Sequence, residues 1–546
     1  MSDQRNDFER KFKGNLNDIK SKFITSKIFS FLNEKKYLEI IKISKKFQKR
    51  LNIDISNYKD YFENIHFIEI EVKVKRNAKK FINIPEEDMQ YYHIYYNNSN
   101  IETKDTFLNT FDDELIKVKI DYSVTSLQNL FNSEKIKSID FKKFDRDNIT
   151  NMSNMFYNCT SLEKLNLSNF NTNNVINMSN MFYNCSSLNE INLSKFNTIH
   201  VKNMDGMFYG CSKLKELNIS NFNTSNVTDM NSMFKGCKSI QKLDLNHFNT
   251  NKVINMSSMF ANCESLNSLN ISKFNTNKVN DMNSMFYRCS LLKTLNVTNF
   301  NTSNVIDMNS MFYGCSSLKE LNITNFNTNY VTNMSFMFSW CKSLKNINLL
   351  SFNTSNVVNM CFIFYQCSSL VELYLSNFNT NKVLYMNSMF HQCSSLKNLN
   401  ILDFDTKNVV CMQNMFNQCS SLKKLNLFQF RTDKVINMNG MFKECTSLEY
   451  LNVSKFNTIN VTDMGEMFYN CSKLKELNLS NFNTKNVNIM RNMFYKCSLL
   501  KILNISNFVM NSVYDSENIF DGLPKLLINK IKKENKNIRQ MVFFEK

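Results

Sequence analysis

A chain of 546 residues would ordinarily divide into three or four domains, but only 8 Gly and 2 Pro punctuate it, so a single elongated body is expected. Its 43% hydrophobic and 13% aromatic content excludes a disordered chain, and 48 Phe with 31 Met point to a repetitive, stacked core. The net charge of +18 is compatible with an anionic partner, yet no zinc-finger, basic-zipper or aromatic RNA-binding signature accompanies it, which leaves nucleic acid an unlikely partner.

The first twenty residues have no apolar signal region, and no stretch approaches the roughly 18 uninterrupted apolar residues of a membrane span. Residue 2 is Ser and the chain ends Phe543-Phe544-Glu545-Lys546 without a prenylation cysteine, so a cytoplasmic protein is expected. Residues 1–65 form a basic module, with 14 Lys/Arg against 6 Asp/Glu in the first 50 positions. Apolar Ile24, Ile28, Phe29 and Leu32, then Leu38, Ile41 and Phe47 after a polar break, predict two or three short amphipathic helices.

The order Ile-Phe-x-Phe-Leu, a charged break, Leu-x-x-Ile and Ser44-Lys45-Lys46-Phe47 resembles an F-box. That family commonly carries Ser-Arg-x-Phe at the last element and opens on Leu-Pro, which is absent here. The resemblance implies docking of Ile24, Ile28, Phe29, Leu32, Leu38 and Ile41 on a Skp1-type adaptor. The same helices could instead serve as a hydrophobic cap over the first coil of a repeat. Residues 66–126 are strand-rich, as in Ile68-Glu69-Ile70-Glu71-Val72, and are expected to be an irregular lead-in cap of further coils.

Residues 127–520 repeat every 26 positions. Aligned on the Phe of Met-Phe-x-x-Cys, the register runs without insertion from Phe156 and Phe182 to Phe494, fourteen copies in all, with a degenerate copy at each end as capping requires. In Leu165-Asn166-Leu167 the alternation places both Leu inward and Asn outward, a short strand, and stacked copies make a parallel sheet. Phe170, Phe196 and their successors form an aromatic spine, and the following Asn-Thr suits a corner. The Val, Met and Met-Phe positions leave the period of two, so the return limb is expected to be a short extended piece followed by a helical turn. Residues 521–546 read as a helical C-terminal cap.

The fold class expected is therefore a repeat solenoid: a leucine-rich-repeat-like, right-handed coil stack with one parallel β-sheet face, short strands and turns on the return limb, and a small helical N-terminal module. Leu162-x-x-Leu165-x-Leu167 combined with Met155-Phe156-x-x-Cys159 resembles the BspA-like leucine-rich repeat in its Met- and Phe-rich variant. That resemblance implies a non-enzymatic binding solenoid, in some members secreted or at the cell surface, with adhesion roles.

Fourteen of the 16 Cys share one register position, from Cys159 to Cys497, with Cys361 and Cys411 outside it. Equivalent Cβ atoms in adjacent coils would lie about 4.8 Å apart against roughly 3.8 Å in a disulfide, so a buried, reduced ladder is expected. No paired Cys-x-x-Cys or His spacing suggests zinc, and neither cofactor nor catalytic residue is expected. His66, His93, His200, His247 and His391 stand in no motif, and a chain this poor in Gly has no phosphate loop. The Asn column through Asn166, Asn192 and Asn218 is expected to stack amides between coils. Its many Asn-x-Ser/Thr triplets would invite glycosylation in a secretory pathway, a further argument for the cytoplasm.

Specificity in a repeat protein resides where the outward face departs from consensus. Five consecutive coils do so, placing Leu350, Tyr374, Leu402, Phe428 and Tyr450 where neighbours carry polar residues, and these form the expected partner-binding ribbon. A Lys stripe runs beside it through Lys215, Lys293, Lys319, Lys345, Lys397, Lys423, Lys475 and Lys501. Three functional readings emerge: a protein-interaction scaffold, with the substrate-recognition subunit of a ubiquitin ligase as its sharper form; a cell-surface adhesion protein; and an anion-binding protein using the Lys stripe.

Overall fold

The structure is a computed structural model that describes residues 20–21, 24, 27, 44–51, 66–75, 80–97, 99–106, 114–144, 146–534 and 538. The chain is a β-solenoid. A short helix, α1 (Lys45–Leu51), buries Phe47. After it comes an antiparallel set: β1 (Ile68–Val74), β2 (Tyr92–Tyr96), β3 (Glu102–Thr103), β4 (Glu114–Ile120) and β5 (Ile136–Phe144). The sheet order is β3-β2-β4-β1-β5-β6, where β6 (Lys164–Asn166) is the first strand of the repeats.

The lead-in residues were expected as irregular coils, but β1 pairs antiparallel with both β4 and β5, and β5 then pairs parallel with β6. The alternation Ile68, Ile70, Val72 and Val74 buries one face of β1 completely, as the period of two requires. Strand β5 thus converts an antiparallel cap into a parallel stack and shields the inward side chains of the first coil. Arg146 fixes this junction. Its buried guanidinium donates to the carbonyl oxygens of Asp121 at 2.5 Å, Tyr122 at 3.3 Å and Val124, and Nε donates to Asn148 Oδ1 at 3.1 Å. Burial lowers its pKa to about 10.

Each coil then repeats one plan. In four pairs of coils a three-residue strand pairs parallel and in register with the next, as Lys424–Asn426 does with Tyr450–Asn452, while the same segment at 190–192, 216–218, 294–296, 320–322 and 346–348 is not in a strand. Of the two strand Leu, the second is fully buried (Leu167) and the first is half-buried against the core (Leu165). Three polar side chains close three turns per coil. Asn166 Oδ1 accepts from the Ser168 N–H at 3.0 Å, Asn171 Oδ1 from Asn173 at 3.0 Å, and Asn177 Oδ1 from Ser179 at 2.9 Å. The Asn166 column is therefore mainly turn chemistry inside its own coil, with a side-chain bond between coils where Asn166 Nδ2 donates to Asp140 Oδ1 at 2.7 Å, in place of the continuous amide stack expected. Its Asn-x-Ser/Thr triplets are the same turns, since the third residue supplies the closing N–H.

The return limb holds a line of parallel bridges, Asn151 to Asn177 to Asn203 and onward to Asp515, and not the helical turn expected. Two residues per coil, such as Asn154 and Asn158, adopt φ of 54° and 57°, which breaks any right-handed helix. The backbone there bonds to the next coil instead: Asn154 N to Ser179 O at 2.9 Å, Phe156 N to Met181 O at 2.9 Å, Asn158 N to Tyr183 O at 2.8 Å. Glycine meets this requirement at Gly206, φ 56°, where a Cβ would fall 2.1 Å from Asn180 Oδ1.

Between the two lines the core is one continuous cluster from Ile68 to Ile538. The Phe156 register stacks ring on ring from Phe131 to Phe520, for example Phe156 on Phe182 at 5.4 Å and 7°, and Phe494 on Phe520 at 5.9 Å and 2°. The Phe170 register forms the second spine, with Phe170 on Phe196 at 5.6 Å. A buried Thr at the corner bonds to the coil above, in most coils twice: Thr172 Oγ1 donates to Asn197 O at 2.9 Å and accepts from Asn197 N at 2.8 Å. The C-terminal helix α2 (Lys525–Glu534) lays Leu527 and Ile531 over the final coil.

Candidate binding surfaces

The fourteen register cysteines are free and buried. Each thiol donates to the carbonyl of the Phe one coil back, as Cys185 Sγ does to Phe156 O at 3.2 Å and Cys211 Sγ to Phe182 O at 3.2 Å. Burial raises the pKa of Cys211, Cys263 and Cys315 to about 12, so these thiols stay neutral, apolar and unreactive at physiological pH. Among the described residues no group of three or more His, Cys, Asp or Glu could hold a metal ion. His93 is the one histidine set between carboxylates among the described residues, Nδ1 at 3.1 Å from Glu102 and Nε2 at 2.9 Å from Asp121, where it ties β2 to β3 and to the end of β4.

A cleft of about 710 Å³ opens on the solvent face where β1 and β5 meet β6. Three of its charges pair with one another, Lys142 Nζ lying 3.2 Å from Glu71 and 2.5 Å from Asp140. The exposed Lys215 to Lys501 stripe runs along the strand line beyond it.

All five ribbon residues are outward-facing: Leu350 is 65% exposed, Tyr374 54%, Leu402 50%, Phe428 44% and Tyr450 46%. They do not share one column. Leu350, Leu402 and Phe428 lie two residues past the Asn of the strand register, which holds each N–H, as Asn348 Oδ1 holds Leu350 N at 3.1 Å. Tyr374 ends its strand, and its hydroxyl donates to Glu372 at 3.1 Å. Tyr450 begins its strand beside Lys424, about 13 Å along from the Phe428 column at ~3.3 Å per residue. Only Leu402 and Phe428 are immediate neighbours in one column, and Lys455 Nζ covers the Phe428 ring at 5.3 Å.

A more continuous apolar surface runs along the return-limb bridges. Val358, Leu384, Val410 and Ile436 occupy the same register in four successive coils, exposed or half-buried, with Tyr385 exposed beside them. Their backbones form an unbroken parallel ladder: Leu384 N to Val358 O at 2.9 Å, Val410 N to Leu384 O at 2.9 Å, Ile436 N to Val410 O at 3.1 Å. Sequence reasoning missed this stripe because only the strand face carries a clear alternation. The signal was present as aliphatic, mostly β-branched residues in four successive coils at a position where the earlier coils alternate between Ile176, Ile254 or Ile306 and polar Lys202, Thr228, Asn280 or Thr332.

The coils around residues 336–362 place aromatic rings at their left-handed positions. Where other copies use Asn, Gly, Ser or a longer polar residue such as Gln366, Glu444 or Lys496, the chain places Phe336 at φ 59°, Trp340 at φ 63° and Phe362 at φ 57°. Left-handed backbone costs an L-residue roughly 1–2 kcal/mol, and Asn or Gly least. Three bulky rings within two coils therefore hold unusual backbone strain.

Of the six positions assigned to an adaptor, Ile24 is helical and exposed, while Ile28, Phe29, Leu32, Leu38 and Ile41 lie outside the described residues. No helix among the described residues is long and apolar enough to cross a membrane.

Among curated proteins, none matches the sequence. Two solved structures resemble the fold: a leucine-rich cell surface protein from Faecalibacterium prausnitzii (16% identity, 60% of this chain and 76% of that one, TM-score 0.33) and a leucine-rich repeat protein from Eubacterium ventriosum (16% identity, 55% and 81%, TM-score 0.28). A family described as "Mycoplasma protein of unknown function, DUF285" matches residues 125–242, 211–320, 288–373, 341–449 and 412–533, overlapping segments that run along the solenoid from its first coil to α2. The chain belongs to the DUF285 family.

Proposed function

We propose that the protein is a non-enzymatic protein-interaction scaffold whose docking surface lies on the coils between Leu350 and Tyr450. The observation that carries this reading is the concentration of departures from consensus in successive coils. Exposed apolar side chains stand on the strand face at Leu350, Tyr374, Leu402, Phe428 and Tyr450, and exposed or half-buried ones run unbroken on the bridge line at Val358, Leu384, Val410 and Ile436. Isolated apolar side chains on a surface are ordinary, whereas a continuous apolar line such as Val358 to Ile436, accompanied by the Leu402 and Phe428 pair in the same coils, marks a contact surface. The rigid stack beneath supports this use, because the patch is held at fixed spacing by backbone bonds and needs little ordering on binding.

Display at a cell surface, as in the BspA-like resemblance, is the second setting for the same scaffold. Nothing described in residues 1–65 favours the ubiquitin-ligase form over a simple cap. The test is affinity purification from the native cells with the full chain and with a Leu402→Ser/Phe428→Ser variant. Loss of the same specific partner from the variant, with an unchanged melting temperature, supports the scaffold reading. Identical partner sets from both proteins reject the strand-face site. Protease shaving of intact cells separates the two settings, since only a displayed chain is cut.

A further inference from the structure

The stack carries a second kind of surface beside the bridge line, and its chemistry is not that of a protein contact. We propose that the return limb around Trp340 and Phe362 binds a neutral carbohydrate chain. Phe336 and Phe362 lie parallel at 4.6 Å and 4°, Tyr365 meets Phe362 edge-on at 5.5 Å, Trp340 stands 6.4 Å from Tyr365, and Tyr313 extends the group at 6.3 Å from Phe336. All five rings remain partly open to solvent. The fold does not need them there, because Asn180, Asn414 and Asn492 hold the Phe register in other coils at φ of 52° to 56°. Strain kept at successive positions, with the rings left exposed, is the pattern of a site and not of a core.

The next two coils add hydrogen-bonding groups in neighbouring columns. His391 Nδ1, Gln392 Oε1 and Asn417 Oδ1 are buried and have no protein partner, and Asn417 is only 6% exposed. The His391 ring lies 4.9 Å from that of Tyr365, so the polar set adjoins the aromatic one. Buried polar atoms left unpaired are rare; Asn377 Oδ1 and Asn381 Oδ1 are two more at another corner of the stack, and the three at 391, 392 and 417 lie in adjacent coils where an external partner would satisfy them. Burial lowers the His391 pKa to about 4, so the ring is neutral at pH 7.

A partner that satisfies both halves presents C–H faces to aromatic rings and hydroxyls to amide and imidazole groups. A sugar ring does both. An anionic ligand would want free cations, but Lys443 is held by Glu466 at 2.7 Å and Lys342 sits over the Trp340 ring at 4.4 Å. A nucleic acid could stack on the same rings and is the competing occupant.

Trp340 is the only tryptophan of the chain, so its fluorescence reports this site alone. The full-length protein is titrated with cellohexaose, N-acetylchitohexaose and xylohexaose, and separately with a thymidine dodecanucleotide. The proposal expects a saturable change in Trp340 emission with at least one of the sugars and none with the oligonucleotide. It expects binding to weaken about tenfold or more in Phe362→Asn and in Asn417→Ala. Phe362→Asn should fold, since Asn is native to that register. Tyr374→Ser on the strand face should leave the sugar response unchanged, which keeps this test separate from that of the protein-docking surface. No saturable response to any of the three sugars, a response only to the oligonucleotide, or a sugar response undiminished in both variants overturns the proposal.

Discussion

Replacing Thr302 by Val removes one hydroxyl from the core while preserving shape, and the structure sets the cost. Thr302 Oγ1 donates to Asn327 O at 2.7 Å and accepts from Asn327 N at 2.8 Å, so both backbone groups of that residue lose their partner at once. A buried backbone group left unpaired costs about 1–3 kcal/mol. Asn327 is half-buried, so water recovers part of this, and about 2–4 kcal/mol is expected for the pair. Thr302→Ser keeps both bonds and loses one buried methyl, about 1 kcal/mol. Because coils couple mainly to their neighbours, the loss should appear locally, as faster amide exchange in the coils on either side of residues 302–327. Urea unfolding gives the overall change. A Val variant as stable as the Ser variant, or more so, would refute the claim that the Thr column clamps coils by hydrogen bonding.

Alkaline stability depends on the cysteine column. In the unfolded chain the thiols ionise near their ordinary value of 9.0, whereas burial holds Cys211, Cys263 and Cys315 neutral to about 12. Their contribution is fully present below pH 9 and is lost as pH rises toward 12, because the unfolded state then releases more protons, and unfolding monitored by circular dichroism should show this steep decline. Below pH 8 the same thiols should resist a thiol-specific reagent until denaturant is added. Arg146→Leu strips several carbonyls of the Ile120 to Val124 segment of their donor and should destabilise the N-terminal cap by about 3 kcal/mol, read as early exchange of β4 amides with the distal coils unaffected. Phe336→Asn should raise the melting temperature or leave it unchanged despite the loss of ring contacts, since it relieves a left-handed Phe; a clear fall would show that the ring is structural.

The inward columns were legible in the sequence because burial alone determines them: Leu167, Phe170, Met181, Phe182 and Cys185 each recur at a fixed offset and are all covered by adjacent coils. Orientation of the ribbon residues came from the same alternation, but its continuity did not, because Tyr450 and Phe428 sit four positions apart along their coils. What lay beyond reach were features that depend on φ or on a partner about 25 residues away. Left-handed backbone at Phe336 and Trp340 leaves no compositional mark, since the other coils satisfy it with several residue types. The Thr column looked like corner chemistry because its bonds run to the next coil, not to its own turn. Antiparallel pairing of β1 with β4 and β5 was hidden for a related reason: a strand's alternation tells its buried face but not its neighbour's direction.

The central claim is that the coils from Leu350 to Tyr450 present the docking surface of the rod. Its most direct test is capture of partner from native cells by three proteins: the unaltered chain, Leu402→Ser/Phe428→Ser, and a distal control, Ile176→Ser/Ile254→Ser, which alters exposed residues of the same chemistry outside those coils. The account predicts that the first variant loses the partner while the control keeps it, with all three proteins melting alike. Equal capture by all three, or equal loss in both variants, would contradict it.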